Sequence, residues 1–505
     1  MSKVSDSNKK KYLVSVVGSG SLIMIEIMDE RTQQFYKKID VLSVKKMFTF
    51  LLSLKDELKA VFLSVTTLET SEYQSNFEAS KAIKDFLLLH SIPCHFYSAE
   101  YLLCFKMWIA TDISSKVDDV VLTVNVGNNE MVLAMNTFGV KGYKISTAKV
   151  LREMNFEDLV MIYLSNNASL KALETALRTN KSYDVGSKLI VLDSDKIRAI
   201  GKSGKSILEM AKWFFDRSYV KFHFPQLVPR TVDILSITGN SQKELITAEN
   251  NTDTPFKESV VIAKSVQQCL MIQHQPSTKK TLETLKMDQN CHRRKIVLFF
   301  ESECFPELKV ESIIIPEIKE LPKKLNGICD MKIPLIGFFG YSAVICVYKN
   351  GKYKFLDSWN GLYGNELFIN FEESKAKYGM ESIKAGNTKM SSVVYDLIKI
   401  MSMPSEKIVV KEEWKFVITK NAENPVLIEF VNHEGRKQAG TPSFLMAMLL
   451  KEMLKRIKNE LNEEKPKEIG FCFFDKMFED EKKRVGNGLK EACELLKVES
   501  KFIDV

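Results

Sequence analysis

Apolar and polar residues recur along this chain with the two periods that predict a mixed α/β fold. Between Leu122 and Met135 an apolar run leads into Gly-Asn-Asn and then into a second apolar run. This pattern predicts two strands joined by a tight turn. Apolar residues at helical spacing predict helices over 41–52 and 445–461. Both kinds of element are therefore expected in one chain.

The two ends of the chain share an order of elements. Residues 11–65 and 414–474 each read as strand, polar turn, strand, second turn, helix and strand. A second helix is predicted after each copy, over 76–89 and 482–496. Few residues are identical, so the similarity lies in the order and length of the elements. Chance similarity of two ordinary β-β-α-β-α runs is the alternative.

Composition narrows the class of protein. A length of 505 residues allows two to four domains, and 45% hydrophobic with 27% charged residues is typical of globular proteins. The net charge of +8 is spread along the chain, which does not favour nucleic-acid binding. The sequence contains no apolar run of about 18 residues, so no membrane span is predicted. Nine cysteines without CxxC spacing favour reduced thiols and a cytoplasmic location. Cys94-His95 and Cys291-His292 lack a second ligand pair, so no metal site is expected.

Several segments resemble, piece by piece, the 70-kDa heat-shock (DnaK-type) chaperones. Residues 57–93 resemble the stretch that crosses from the first nucleotide-binding lobe toward the second, and Leu122–Met135 resembles the second phosphate loop. Residues 156–177 resemble the helix pair after that loop, and 189–200 the adenosine-side strand and turn. No single motif is specific to that family, so the resemblance rests on the order in which these segments follow one another along the chain.

The later segments resemble the same family in a permuted order. Residues 227–275 resemble the start of the peptide-holding β-sandwich, and 333–371 resemble the first phosphate hairpin, which opens the chain in that family. The resemblance implies an α/β plus β fold, with pieces of an actin-type (ribonuclease H-like) two-lobed ATPase and a β-sandwich. A fused or misjoined reading frame would produce the same sequence.

The resemblance also implies domain boundaries. It predicts a partial first lobe over 1–116, a shortened second lobe over 117–225, the sandwich over 226–333, and a first-lobe copy over 334–505. The last segment is expected to pack on residues 120–200 and rebuild a two-lobed domain. The alternatives are that each copy stays separate or pairs with another protomer.

Two hairpins wrap the phosphates and a magnesium ion in that fold, so the resemblance implies ATP or ADP with magnesium as the cofactor. The positions that it assigns to nucleotide binding are Asn125, Gly127, Asn128, Asn129, Ser194, Lys196, Gly340, Tyr341 and Ser342. Lys384 and Glu100 lie near the family's catalytic lysine and glutamate, each out of register. No residue is assigned to the metal.

The residues at these positions argue against phosphate chemistry. Asn125 stands where the family has a metal-side aspartate, and an aromatic residue stands near the aspartate of the first hairpin. Glu130 would repel a γ-phosphate, and Leu192 and Asp193 would fill the space of the nucleotide's sugar and base. We therefore predict a degenerate ATPase with weak or absent hydrolysis. The Gly-Asn-Asn turn is interpreted as a phosphate loop by ancestry and a plain hairpin by chemistry, or as an unrelated turn.

The resemblance implies a chaperone-like protein that binds unfolded polypeptides or co-chaperones. The apolar runs 259–263 and 269–273 are expected to be sandwich core rather than a peptide pocket, and the polar runs 246–259 and 275–295 to be loops. One alternative is an active ATP-dependent chaperone that uses Lys384, Glu100 and Ser342. Another is an unrelated multi-domain interaction protein.

Overall fold

Two compact units divide the chain. The computed structural model describes residues 11–126, 131–147, 159–164, 189–275, 277–301, 303–328, 332–461 and 465–505. The first unit comprises Met1–Thr231, Ala248–Lys257 and Phe299–Glu307, and the second comprises Val232–Thr247, Glu258–Leu298 and Leu308–Val505. The first thus covers most of the segments predicted at 1–116 and 117–225, and the second most of those at 226–333 and 334–505.

The first unit begins with a five-stranded mixed sheet. Its strands are β1 (Tyr12–Gly20), β2 (Leu22–Asp29), β3 (Gln34–Val41), β4 (Leu58–Leu68) and β5 (Cys94–Phe96). The order is β3-β2-β1-β4-β5, antiparallel among the first three strands and parallel from β1 through β4 to β5. Helix α1 (Val44–Ser53) connects β3 to β4, and α2 (Asn76–Leu89) connects β4 to β5. The helices predicted over 41–52 and 76–89 are confirmed.

Each of these helices begins at a serine. The Ser43 hydroxyl accepts a hydrogen bond from the Lys46 amide, and the Ser75 hydroxyl accepts one from the Glu78 amide. Such caps satisfy backbone donors that have no partner inside the helix. The apolar faces of α1 and α2 pack on one side of the sheet, where Val14 and Val16 of β1 are fully buried.

A second five-stranded sheet repeats this order. Its strands are β6 (Val120–Val126), β7 (Met131–Gly139), β8 (Gly142–Thr147), β9 (Leu159–Leu164) and β10 (Leu189–Asp193). The order is β8-β7-β6-β9-β10, again antiparallel for the first three strands and parallel for the rest. The strands predicted around the Gly-Asn-Asn turn are confirmed, whereas the turn itself lies outside the described residues.

Residues 159–164 were expected to be helical, and that prediction is wrong. They form β9, which lies between β6 and β10 and is parallel to both. A continuous apolar run of six residues suits a central parallel strand, and periodicity does not separate such a run from a buried helical segment.

The other face of the first sheet is covered by helices α3 (Ala99–Thr111), α4 (Ser194–Lys202) and α5 (Lys205–Phe215). Leu13 of β1 and Phe62 of β4 pack against α5, where the Phe62 and Phe214 rings meet edge to face at 5.6 Å. Alternate residues of β1 therefore enter opposite cores, as the period of a strand requires.

An ion cluster attaches residues 299–307 to α2. The Lys84 Nζ donates to Glu303 Oε2 at 3.0 Å and also to the Glu307 carboxylate, and the Phe96 amide donates to Glu303 Oε1 at 3.3 Å. The Phe77 and Phe305 rings stack at 4.9 Å beside it. Burial raises the pKa of Glu303, although Lys84 and the Phe96 amide oppose this.

Residues 232–313, here named the all-β segment, lie largely in the second unit. The strands are β11 (Val232–Thr238), β12 (Ser241–Ala248), β13 (Phe256–Ala263), β14 (Gln268–His274), β15 (Lys279–Lys286), β16 (Arg293–Phe300) and β17 (Pro306–Ile313). They form two sheets, ordered β12-β11-β14-β15 and β13-β16-β17. The apolar runs 259–263 and 269–273 lie in β13 and β14. Cys269, Met271 and Ile272 are buried, as expected of core residues. Within 259–263 only Ile262 is buried, so the expectation that this run is core is wrong. The run 275–295 was predicted as a loop, but it contains β15. Lysine-rich sequences are typical of such edge strands because they discourage further pairing.

The second unit continues with helices α6 (Pro316–Lys319) and α7 (Leu321–Ile328) and a third large sheet. Its strands are β18 (Leu335–Phe339), β19 (Ser342–Lys349), β20 (Lys352–Phe355) and the short β21 (Asn365–Glu366). The two distant strands β28 (Glu468–Phe473) and β29 (Glu499–Phe502) complete it, in the order β20-β19-β18-β28-β29, with β21 pairing β19. This is the order of the first two sheets once more.

Small elements fill the interval between β21 and β28. They are β22 (Ile369–Asn370), β23 (Lys377–Tyr378), β24 (Val393–Val394), α8 (Leu397–Ser402), β25 (Val417–Thr419), β26 (Leu427–Val431) and β27 (Lys437–Gly440). Helix α9 (Pro442–Glu460) precedes β28, and α10 (Glu479–Leu496) connects β28 to β29. The helices predicted over 445–461 and 482–496 are confirmed, and they pack on one face of the sheet while α6 and α7 pack on the other.

The predicted order of elements is found in both copies, as β1-β2-β3-α1-β4-α2 and β25-β26-β27-α9-β28-α10, but the pairing of the strands differs. In the first copy β1 is the parallel neighbour of β4. At the carboxyl end the strands expected at that place form a separate sheet, β25-β26-β27, and the parallel neighbour of β28 is β18. The structural counterpart of the β1–β2 hairpin is therefore the β18–β19 hairpin, because pairing between distant strands does not follow their spacing in the chain.

The predicted rebuilding of one two-lobed domain stays a prediction. Leu122–Met135 belongs to the second sheet and the first unit, whereas the strands within Ile336–Phe371 belong to other sheets and the second unit.

Candidate functional site

A cavity of about 720 Å³ lies in the second unit, between the all-β segment and the third large sheet. It is lined by the turn between β18 and β19, by β12 and β13, and by the loop after β28. Its apolar wall includes Leu245, Val260, Val261, Val266, Phe339, Phe368, Met390 and Met477. A cavity of this size and lining is typical of ligand sites.

The turn at the cavity is tight. Phe339 pairs with Ser342, which leaves Gly340 and Tyr341 as the two turn residues. Gly340 has a φ of 52°, a left-handed conformation that glycine adopts without steric cost. Its amide therefore points out of the ladder and is available to another acceptor.

Asp475 supplies that acceptor. It follows β28, which is parallel to β18, so the carboxyl ends of both strands lie at the same edge of the sheet. One carboxylate oxygen accepts from the Gly340 amide, and the other accepts from the Arg293 guanidinium. Charge-assisted bonds of this kind are stronger than neutral ones.

A buried carboxylate lies behind the same turn. The Ser342 hydroxyl donates to Glu366 Oε2 at 2.8 Å, and Glu366 is fully buried. Its Oε1 has no hydrogen-bond partner among the described residues. Burial raises the pKa of Glu366 to about 7, although Lys264 and Ser342 favour the ionised form. The Lys264 ammonium donates hydrogen bonds to the carbonyls of Tyr363 and Gly364, at 2.8 and 2.6 Å.

A second acidic residue lies beside Tyr341. Asp396 Oδ2 accepts from Lys411 Nζ at 2.6 Å and from Trp414 Nε1 at 3.1 Å. Burial raises the pKa of Asp396, and Lys411 opposes that effect. The Tyr341 ring meets Tyr395 edge to face at 5.6 Å, which fixes the aromatic side of the cavity.

The charges that line the cavity are largely paired with one another. The pairs are Lys243–Glu413 at 3.5 Å, Lys399–Glu481 at 3.4 Å, Lys411–Asp396 at 2.6 Å and Arg293–Asp475. A polyanion would have to compete with carboxylates for each of these cations. The arrangement therefore suits an apolar ligand with small, mixed charge better than a nucleotide.

The residues predicted as the first phosphate hairpin lie at this cavity. Gly340, Tyr341 and Ser342 all contribute to its lining. Lys384 is exposed in a loop and does not line it; its main-chain amide donates to the Thr388 hydroxyl at 2.8 Å. Three of the predicted residues therefore line the cavity, whereas the predicted Lys384 does not.

The other predicted residues that the structure describes belong to the first unit. Asn125 lies in β6, opposite Val132 of β7, and Ser194 and Lys196 lie in the first turn of α4, directly after β10. Because β6, β9 and β10 are parallel, the ends of β6 and β10 share one edge of the second sheet. Glu100 lies in the first turn of α3. Gly127, Asn128 and Asn129 lie outside the described residues, as does Glu130.

Sequence reasoning predicted the polar turn between β1 and β2 but did not recognise it as the first-unit counterpart of the Gly340 turn. Residues 19–21 close the β1–β2 hairpin and are exposed, with a φ of 54° at Gly20. The Glu69 amide, in the loop after β4, donates to the Gly20 carbonyl at 2.7 Å. The signal was present, because Gly-Ser-Gly-Ser separates two apolar runs there.

Asp475 and Arg293 were also missed. Asp475 follows the apolar run "EIGFCFF", and a polar residue at the carboxyl end of a buried parallel strand is a general indication of a site. Arg293 had no comparable signal. It is one of many basic residues in a polar run, and only the packing of β16 brings it to the turn.

The lining residues do not fit a magnesium nucleotide. The turn amide and the arginine that could meet phosphate oxygens are bonded to Asp475, and the acidic residues at the cavity face cations of their own. Among the described residues, no group of three or more histidine, cysteine or acidic side chains could hold a metal ion. In the described ranges, no helix combines the length and apolar character that a membrane span needs.

No protein-family model matches the chain. A search of curated proteins gave no match either.

Proposed function

We propose that this protein is a divergent chaperone-like binding protein that holds extended apolar polypeptide segments without ATP hydrolysis. The observation that carries the proposal is the cavity of about 720 Å³, which has an apolar wall and a rim of mutually paired charges. Partner chaperones that present such segments fall within the same proposal, as does the cytoplasmic location.

The strands at the cavity support an extended ligand. β12 and β13 are edge strands of their respective sheets, and both line the cavity. An edge strand presents main-chain donors and acceptors to which an extended peptide can add, while pockets take its alternate side chains. β13 itself contributes Val261 to the cavity wall, and the side chain of Val261 is 51% exposed.

The order of the sheets supports the link to a two-lobed ancestor. Three sheets share one order of five strands, to which the third adds β21, and the all-β segment lies between the second and the third sheet. The resemblance implies two lobes of similar topology followed by a β-sandwich. The proposal of an actin-type fold with a peptide-holding sandwich rests on this agreement and on the succession of resembling segments.

The test is a titration of the full chain with a fluorescein-labelled heptapeptide that has a Leu-Val-Leu centre and flanking lysines, followed by fluorescence anisotropy. Val261→Asp places a charge on the cavity wall and is expected to weaken binding by about 10-fold or more, since burying a valine contributes about 1.5–3 kcal/mol. Val417→Asp is the matched control because Val417 is 53% exposed and does not line the cavity. Equal losses in the two variants would contradict the proposal.

A second measurement tests the inactive part of the proposal. Steady-state ATP hydrolysis with magnesium is expected to stay at the background rate, and calorimetry is expected to detect no tight magnesium–ATP binding. Tight binding, or turnover that Lys384→Ala abolishes, would instead support the active ATP-dependent chaperone.

A further inference from the structure

Two hydrogen-bond donors converge on the Asp475 carboxylate from different parts of the second unit. The Gly340 amide reaches it from the turn between β18 and β19, and the Arg293 guanidinium reaches it from β16. Each donor takes a different carboxylate oxygen. An amide and a guanidinium that face one point are the donors that proteins use to bind carboxylate and phosphate oxygens.

The Gly340 amide and the backbone at Arg293 are held in place by contacts that do not involve Asp475. The turn is closed by the Phe339–Ser342 pair, and the left-handed φ of Gly340 sets the direction of its amide. Next to Arg293, the His292 ring donates from Nε2 to the Leu362 carbonyl at 2.8 Å and accepts at Nδ1 from the Ile315 amide at 2.8 Å. The backbone at Arg293 is therefore anchored near the turn. Removal of the Asp475 carboxylate would leave the Gly340 amide in position and the Arg293 guanidinium within reach of it.

The corresponding turn of the first sheet is arranged differently. There the loop after β4 contributes a main-chain amide, that of Glu69, which donates to the Gly20 carbonyl. In the third sheet the loop after β28 contributes a side-chain carboxylate, which accepts from the Gly340 amide. Two hairpins of the same topology thus receive opposite hydrogen-bonding groups from the loop beside them.

We propose that Asp475 is an internal ligand that occupies an oxyanion site formed by the Gly340 amide and the Arg293 guanidinium, and that it keeps dissolved phosphates and carboxylates out of this site. An intramolecular carboxylate acts at a high effective concentration, so a free anion at millimolar concentration does not displace it. The site is closed to free anions because Asp475 occupies it. It also lacks the residues that phosphate chemistry needs. This inference does not depend on polypeptide binding.

Calorimetric titration of the full chain with inorganic pyrophosphate at low ionic strength tests the proposal. The unaltered chain is expected to show no binding at millimolar pyrophosphate. Asp475→Ala is expected to bind it at least about 10-fold more tightly than the unaltered chain, because a fixed amide and a nearby guanidinium become free. Asp475→Asn, which keeps the shape of the side chain but removes its charge, is expected to show a smaller gain and serves if the alanine variant does not fold.

Glu481→Gln is the matched control. It also removes a lining carboxylate and frees a cation, Lys399, but it leaves the Gly340 turn untouched. A gain equal to that of the Asp475 variants would show a general electrostatic effect and overturn the proposal. In the double variant Asp475→Ala/Arg293→Gln the gained binding is expected to disappear, and its persistence would equally refute the assigned site.

Discussion

Glu366 makes the stability of the second unit depend on pH. This carboxyl group is fully buried behind the hairpin turn, and its Oε1 has no hydrogen-bond partner among the described residues. Burial raises its pKa from the ordinary 4.5 to about 7. The substitution Glu366→Gln keeps the size of the side chain and an oxygen that can accept from Ser342, but it removes the ionisation.

The sign follows from the protons bound in each state. Below pH 4.5 the carboxyl group is protonated in both the folded and the unfolded chain, so it contributes no pH dependence. Between pH 4.5 and about 7 the unfolded chain has released the proton and the folded chain retains it, so the free energy of unfolding falls as pH rises. One pKa unit corresponds to about 1.4 kcal/mol, so the full loss is about 3 kcal/mol.

The assay is urea unfolding of both chains at pH 5, 6, 7 and 8, followed by tryptophan fluorescence. Trp108→Phe and Trp213→Phe in both chains leave Trp359 and Trp414, which belong to the second unit. The free energy of unfolding of the Glu366→Gln chain, minus that of the chain with Glu366, is expected to grow by about 2–3 kcal/mol from pH 5 to pH 8. Other titrating groups cancel in this difference. A difference that stays constant over the range would refute the reasoning, because it would mean that Glu366 does not titrate differently in the folded chain.

Two further predictions concern stability. Lys84→Met leaves Glu303, which is 7% exposed, as an uncompensated buried charge, so thermal unfolding should show a loss of about 3–5 kcal/mol in the first unit. The control Lys59→Met breaks a pair whose side chains are about one third exposed and should cost below about 1 kcal/mol; equal losses would contradict the assignment. Gly364→Ala would place a Cβ 2.3 Å from the Ala343 carbonyl oxygen at a φ of 65°, so a loss above about 2 kcal/mol is expected in urea unfolding. An unchanged midpoint in that variant would show that the backbone there can relax.

Local structure could be read from the chain because it depends on neighbouring residues. The helix predicted over 76–89 matches α2, whose apolar residues recur every three or four positions and whose first turn is capped by Ser75. The strands around the Gly-Asn-Asn turn were predictable for the same reason, since strand and turn preferences act over a few residues. The run at 159–164 marks the limit of this reasoning, because a short apolar segment suits a buried strand and a buried helix equally.

The candidate site depends on pairing between distant segments. Strand β18 is hydrogen-bonded to β28, more than 100 residues further along the chain, and this pairing brings Asp475 to Gly340. Arg293 arrives from a third segment through the packing of the all-β segment. The periodicity of the sequence does not indicate which distant segments pair, because parallel pairing is decided by which apolar faces can be buried together. Strands and turns were therefore predictable from the sequence. The residue that accepts from the Gly340 amide, Asp475, is decided only by the packing of separate strands into one unit.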